Sequence, residues 1–210
     1  MKVITITIGM MDENCYIVVS DQGNAAVIDP GGEAERILSY IEKNGLTVTK
    51  LLLTHGHFDH LLALKAIKDA TGAEICIHEA DRRMPERAEE NLAALFGTGY
   101  QPVSADRLLQ DGDTVSVDEI TFTVVHTPGH TPGSVCYRAE GILFSGDTLF
   151  AGSIGRTDFP NGSYAEMEAS LKKLTALEGD YTVLSGHGEK TTLDWERQHN
   201  PYIRMQKGDF

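Results

Sequence analysis

The chain has 210 residues, 41% of them hydrophobic and 23% charged, enough apolar material for one domain spanning 1–210 with a core of its own. A formal net charge of -13 argues against a nucleic-acid partner, which needs a basic face to neutralise phosphates. No stretch approaches the length of a membrane span. The three cysteines (Cys15, Cys76, Cys136) have no C-x-x-C spacing, which fits buried thiols in a reducing cytoplasm.

Met1-Lys-Val-Ile-Thr-Ile-Thr-Ile alternates apolar and threonine residues, the pattern of a strand and not of a signal peptide. Strands are predicted over 3–8, 15–20 and 25–29, with turns at Met11-Asp-Glu-Asn and Asp21-Gln-Gly-Asn. Asp29-Pro-Gly-Gly then breaks the pattern. Ile37, Leu38 and Ile41 fall at helical spacing within 34–43, which Asn44-Gly45 closes. Residues 48–53 read as a buried strand, 61–70 as a helix stopped by Thr71-Gly72, and 74–78 as another strand. A helical pattern over 80–96 is interrupted by Pro85 and followed by the loop Gly97-Thr-Gly-Tyr-Gln-Pro. Short strands follow over 111–117, 120–126, 134–139 and 142–145, then a helix over 163–177 and a buried strand over 181–184. A last short helix over 193–198 precedes Asn200-Pro201. Two mixed sheets flanked by helices would cover the buried strands on both faces.

Between the 48–53 strand and the next helix stands Thr54-His-Gly-His-Phe-Asp-His, three imidazoles and a carboxylate within six residues. Imidazole nitrogen and carboxylate oxygen suit zinc, iron and manganese. The carboxyl end of a buried strand is also where ligands tend to bind. Three later segments end apolar strands in glycine-flanked donors: Thr127-Pro-Gly-His130, Ser145-Gly-Asp147 and Ser185-Gly-His187. Glycine there lets backbone come close and turn sharply. The set His55, His57, Asp59, His60, His130, Asp147 and His187 is too large for one zinc ion and suits two metals sharing a carboxylate. His78 and His199 read as satisfied core histidines, and His126 as a neighbour of the site rather than a ligand.

These residues resemble the metallo-β-lactamase superfamily, whose H-x-H-x-D-H motif stands here at His55 to His60 and continues through His130, Asp147 and His187. The resemblance implies an α/β fold, the four-layer αβ/βα sandwich with two mixed sheets flanked by helices and a dinuclear site at the sheet edges. It also implies two divalent metal ions, zinc first, with iron or manganese as alternatives. His55, His57 and His130 would hold one ion, Asp59, His60 and His187 the other, and Asp147 would bridge them. Within the superfamily the glyoxalase II-like hydrolases are most similar. Asp29-Pro-Gly-Gly, Thr127-Pro-Gly-His-Thr-Pro-Gly-Ser, Gly146-Asp-Thr-Leu-Phe, Gly155-Arg-Thr-Asp-Phe-Pro and Glu196-Arg-Gln-His-Asn-Pro-Tyr all look like its short bacterial members. That group cleaves hydroxyacylglutathione thioesters such as S-lactoylglutathione. Gly155-Arg-Thr-Asp-Phe also resembles the persulfide dioxygenases, which use a single iron, and hydrolysis of another small ester is a further alternative. β-Lactamase activity is not expected, because the main groups of those enzymes are exported and place Cys at the position of Asp147. The stretch Leu61-Leu-Ala-Leu departs from the small residues and glycines often found after the motif.

The chemistry implied is attack by a metal-bridging hydroxide on a thioester carbonyl, since a metal pair lowers the pKa of water to about 7. Asp59 would orient the attacking oxygen. A thiol leaves readily because it ionises near about 8.5, so no strong general acid is needed. Arg156, in the loop over 150–161, either pairs with a substrate carboxylate or holds the loop through Asp158. Tyr100 and the segment 82–96 form either part of a lid or a packed surface helix. The small-molecule thioester is the partner expected, with no nucleic acid and no membrane, and the sequence leaves oligomeric state open.

Overall fold

The computed structural model describes residues 1–207. Strands β1 (Lys2–Ile8), β2 (Glu13–Val19) and β3 (Asn24–Ile28) form an antiparallel meander. β4 (Thr47–Leu52), β5 (Glu74–His78) and β6 (Arg107–Leu109) extend the sheet in parallel, in the order β1-β2-β3-β4-β5-β6. Parallel neighbours require crossovers, which α1 (Ala34–Lys43), α2 (Leu64–Thr71) and a long connection carrying the one-turn α3 (Ala93–Phe96) supply.

The second sheet begins with four antiparallel strands, β7 (Thr114–Val117), β8 (Ile120–His126), β9 (Val135–Ala139) and β10 (Ile142–Gly146). The small hairpin of β11 (Leu149–Phe150) and β12 (Ser153–Ile154) follows, then α4 (Tyr164–Thr175). β13 (Thr182–Ser185) returns parallel to β10, and β14 (Thr191–Thr192) closes the edge, giving the order β14-β13-β10-β9-β8-β7. α5 (Leu193–His199) and α6 (Pro201–Lys207) complete the described chain.

Alternation along the strands builds four layers, because successive side chains point to opposite faces. Ile17 and Val19 of β2, with Leu51 of β4 and Leu53 just after it, pack outward with Ile37, Ile41, Leu64 and Ile67 of α1 and α2. Their neighbours Tyr16, Val18 and Leu52 face inward, where they meet Phe122, Tyr137, Phe144 and Leu184 of the second sheet. On the far side Cys136, Leu143 and Val183 pack with Met167, Leu171 and Leu174 of α4 and with Leu193 and Ile203. The result is helix, sheet, sheet, helix: the mixed α/β sandwich expected.

Several local expectations need correction. No single helix fills 80–96. The segment holds two isolated 3-10 turns, Glu79–Asp81 and Met84–Glu86, before α3. Pro85 removes a donor, and Asn91 turns the chain by donating to the Met84 carbonyl and accepting from Ala93 N, with Leu92 at φ 71. The helix expected from residue 61 starts at Leu64, because Phe58–His60 form a tight turn and Ala63 N bonds to the Pro30 carbonyl. β6, the β11–β12 hairpin, β14 and α6 lie outside the predicted elements. Pro201 starts α6 instead of ending the chain's helices, with the Asn200 side chain accepting from Tyr202 N at 3.0 Å. His199 is exposed and stacked on Trp195, so it is no core histidine. His78 is buried, accepts from Ala80 N and stacks 3.9 Å from the His126 ring. All three cysteines are free and buried. No described helix is long and apolar enough to cross a membrane.

Candidate metal centre

β3 and β4 end side by side, and both ends are tied by one carboxylate. Asp29, in the left-handed region at φ 50, accepts from Thr54 N at 2.7 Å and from Thr54 Oγ1 at 2.6 Å. The motif then leaves β4 through a single 3-10 turn, Phe58–His60, which brings Asp59 and His60 back beneath His55 and His57. β8, β10 and β13 deliver His130, Asp147 and His187 from the other sheet, each in the loop at its carboxyl end. The structure therefore gathers all seven predicted donors in one place.

They gather in two overlapping groups. Ligand atoms of His55, His57 and His130 lie within 4.8 Å of one another, as do those of Asp59, His60 and His187. Asp147 stands between them. Its Oδ1 is 3.4 Å from His60 Nε2, and its Oδ2 is 3.6 Å from both His130 Nε2 and His187 Nε2. His187 Nε2 also reaches Asp59 Oδ2 at 3.4 Å, and His57 Nδ1 lies 2.9 Å from His130 Nε2.

The outer nitrogens of four of these rings are committed elsewhere. His60 Nδ1 donates to Asp29 Oδ2 at 3.0 Å, His130 Nδ1 to the Arg156 carbonyl at 2.8 Å, and His187 Nδ1 to the Met11 carbonyl at 3.0 Å. His55 Nδ1 donates to Thr54 Oγ1 at 3.1 Å, whose own proton goes to Asp29. Such bonds fix the tautomer and aim the inner lone pair. Buried His55 Nε2, His60 Nε2 and Asp147 Oδ1 make no hydrogen bond with protein. Buried polar atoms are rarely left so. An oxygen and nitrogen donor set with unmatched inner lone pairs fits divalent transition-metal ions.

The electrostatics divide the rings into neutral donors and a position that favours positive charge. Burial and the neighbouring rings push His55 well below its ordinary value, and burial with His130 takes His57 down to about 3, so both are neutral donors. Burial opposes ionisation of Asp147, but His60, His130 and His187 outweigh it and hold the carboxyl well below the usual range. Burial disfavours a charged His60, yet Asp147, Asp59 and Asp29 outweigh it and raise its pKa well above normal.

Two glycines show how tightly the cradle closes. A Cβ on Gly186 would lie 2.3 Å from Asp147 Oδ1, and one on Gly155 would lie 1.7 Å from the Asp147 carbonyl oxygen. The donors form the floor of a cleft of about 500 Å³, walled by Phe58, Leu92, Phe96, Phe150, Ile154 and Phe159. Arg156 lines it too, but its guanidinium makes two hydrogen bonds to Asp158 and lies 3.9 Å over the Phe159 ring. Of the two roles expected for Arg156, the structure displays the loop-holding one. Tyr100 donates to the Pro85 carbonyl and packs beside Phe58, as part of the support behind the cleft.

Sequence reasoning missed the supports. Buried Asp81 accepts from Gly56 N, Gly133 N and Thr131 Oγ1, joining the first motif loop to the His130 loop. Nothing local marks it, since its partners lie 25 to 52 residues away. Asn14 Nδ2 and Tyr16 OH donate to main-chain carbonyls of the His187 loop. Buried Glu196 accepts from Gly152 N and Thr191 Oγ1 and binds Asn200, anchoring the β11–β12 hairpin. A charged residue closing an otherwise apolar strand was the available signal for Asp29. Glu13 is fully buried with both carboxyl oxygens unpartnered, 3.8 Å from His60 Nδ1, and burial raises its pKa well above normal.

A family model described as the metallo-beta-lactamase superfamily matches residues 8–187. The chain is 38% identical over 211 residues to the hydroxyacylglutathione hydrolase GloC of Haemophilus influenzae, covering 98% of this chain and 100% of that protein. Among solved structures it is similar to the B3 metallo-beta-lactamase BLEG-1 (37% identity, TM-score 0.91, 96% and 99% of the two chains). It is also similar to TTHA1623 in a di-iron-bound form (36% identity, TM-score 0.85, 95% and 100%).

Proposed function

The chain belongs to the metallo-beta-lactamase superfamily and is a metallohydrolase, and from that premise we propose that it hydrolyses a thioester of the hydroxyacylglutathione class, such as S-lactoylglutathione. His55, His57 and His130 would hold one divalent ion and Asp59, His60 and His187 a second, with Asp147 shared and zinc the first choice of metal. Ions held there supply Lewis acidity, lowering the pKa of water and stabilising negative charge that develops on a carbonyl oxygen.

The protein's own groups do the rest. Asp29, Thr54 and the Arg156 and Met11 carbonyls fix the ring orientations. Burial works against an ionised Asp59, but His60 and the hydrogen bond from His187 keep its carboxyl below the usual range. Ionised in this way, it can accept a hydrogen bond from water at the cleft floor and orient that water.

The observation that carries the thioester is what the walls lack. Beyond the donors, the polar residues among those described as lining the cleft are Ser153 and Arg156, and arginine does not give up a proton near neutrality. A site without a general acid suits a leaving group that departs as an anion, and thiolate does so far more readily than an amine. The likeness to GloC points the same way.

Purified protein incubated with S-lactoylglutathione, with metal measured on the same sample, tests the reading. Expected are two metal equivalents and stoichiometric release of thiol without oxygen uptake. One iron, with sulfite production and oxygen uptake from a persulfide, would replace it with a dioxygenase. A second reading, β-lactam hydrolysis, is favoured by the likeness to BLEG-1, and a chromogenic cephalosporin in the same assay separates it. The three free, buried thiols support a reducing, cytoplasmic compartment.

A further inference from the structure

Above the donors the cleft is apolar on two sides. On the His57 side Phe58, Leu92 and Phe159 pack together, and Phe96 stacks on Phe58 with 4.6 Å between ring centres. On the His187 side Phe150 stands edge-on to the His187 ring at 6.2 Å, and Met11 completes the wall.

This wall is built and not incidental. Leu92 sits at φ 71, a backbone position uncommon outside glycine and asparagine. Asn91 holds it there through both ends of its carboxamide, while Phe58 N donates to the Asn91 carbonyl at 2.9 Å. Residues kept in sparsely populated conformations concentrate at functional sites. Phe96 and Met11 remain 43% and 41% exposed although they face the cleft, so apolar surface here stays wet until something covers it.

The charges point to the same class of ligand. Arg156 is the one cation among the described residues lining the cleft, and Asp158 already engages it. The chain as a whole carries -13. Recognition of a highly anionic carrier therefore has little to work with, whereas an apolar group has two walls. A volume of about 500 Å³ lies in the range that holds a drug-sized ligand, far more than a lactoyl group fills.

We propose that this slot binds the acyl half of the substrate and takes an aliphatic or aromatic acyl group larger than lactoyl. The assignment rests on the thioester reading and narrows it: selection acts on the acyl chain, with the carrier thiol directed outward past Arg156. Phe96, Leu92 and Phe159 are the specificity-determining residues.

Two series on the metal-loaded protein test this. In the first, S-acyl glutathiones from acetyl to octanoyl, and phenylacetyl, are compared by kcat/KM. Each added methylene should raise it about fourfold until the slot is full. Phe96→Ala should flatten that slope. In the second, straight-chain carboxylates from acetate to octanoate are titrated by calorimetry, and affinity should climb with the same step. Flat profiles in both series overturn the slot. Hydrolysis of no thioester, with a carboxylate series that still climbs, would sink the thioester reading and leave the apolar site standing.

Discussion

The carboxylate of Asp29 and the imidazole of His60 meet across 31 residues of sequence, Oδ2 accepting from Nδ1 at 3.0 Å. The same carboxylate takes both the N–H and the hydroxyl proton of Thr54, so it braces the start and the end of the first motif at once. A ligand ring backed by a carboxylate is better oriented and more basic than one backed by a neutral group. Among the other rings, His55 leans on a hydroxyl and His130 and His187 on main-chain carbonyls.

Asp29→Asn keeps the shape and removes the charge. We expect metal affinity of the Asp59, His60 and His187 half to fall by about 10- to 100-fold, with the fold retained. Competition against a chromogenic chelator reads this directly. Affinity equal to that of the unmodified protein would mean that Asp29 only closes the β3 end.

Asp147 contacts both halves of the donor set, so its loss should be felt by both. Asp147→Ala is expected to lower bound metal below one equivalent and to abolish turnover. Lys190→Ala, altered in the loop after His187, should leave metal content and turnover near those of the unmodified protein. Full metal content in the Asp147 variant would remove it from the bridging role.

Asp81 offers a test of the scaffold apart from the metal. Replacing it by alanine strands two main-chain N–H groups in a buried region and leaves the Thr131 hydroxyl with Ser134 alone. Each unmatched group costs about 1–3 kcal/mol, so stability to urea should drop by several kcal/mol. An unchanged midpoint would show that water replaces the carboxylate without loss.

The donors could be read from the sequence because each follows a recognisable strand and stands beside glycine, and the strands themselves alternate or run apolar. What holds the donors could not. Asp81 and Asn14 act on loops far away in sequence, and no spacing rule connects them. The failures over 80–96 have a similar origin: Asn91 and Leu92 adopt a turn because Phe58 bonds to it, a tertiary contact that overrides helical periodicity. β6 was invisible because three residues are too few to show a period. His199 is exposed because the α5 face that carries it looks outward, beside Trp195, a facing that so short a helix does not show in its spacing.

His78 gives a pH prediction outside the donor set. It is buried, and burial, with the stacked His126 ring beside it, pushes its pKa down to about 4, against the weaker pull of Glu79, Asp111 and Asp113. An unfolded chain would hold that imidazole near its ordinary value of about 6.5. Between those values the unfolded state binds a proton that the native state refuses. Stability from this group is therefore complete above about pH 6.5 and lost as pH falls toward 4. The urea midpoint of the metal-loaded protein should fall between about pH 7 and about pH 4.5. In His78→Phe, which keeps an aromatic ring for stacking on His126, the fall should be shallower over the same range. The donor histidines respond to acid alike in both proteins, so the difference between the two curves isolates His78. Parallel curves would show that its neutral form contributes nothing to folding.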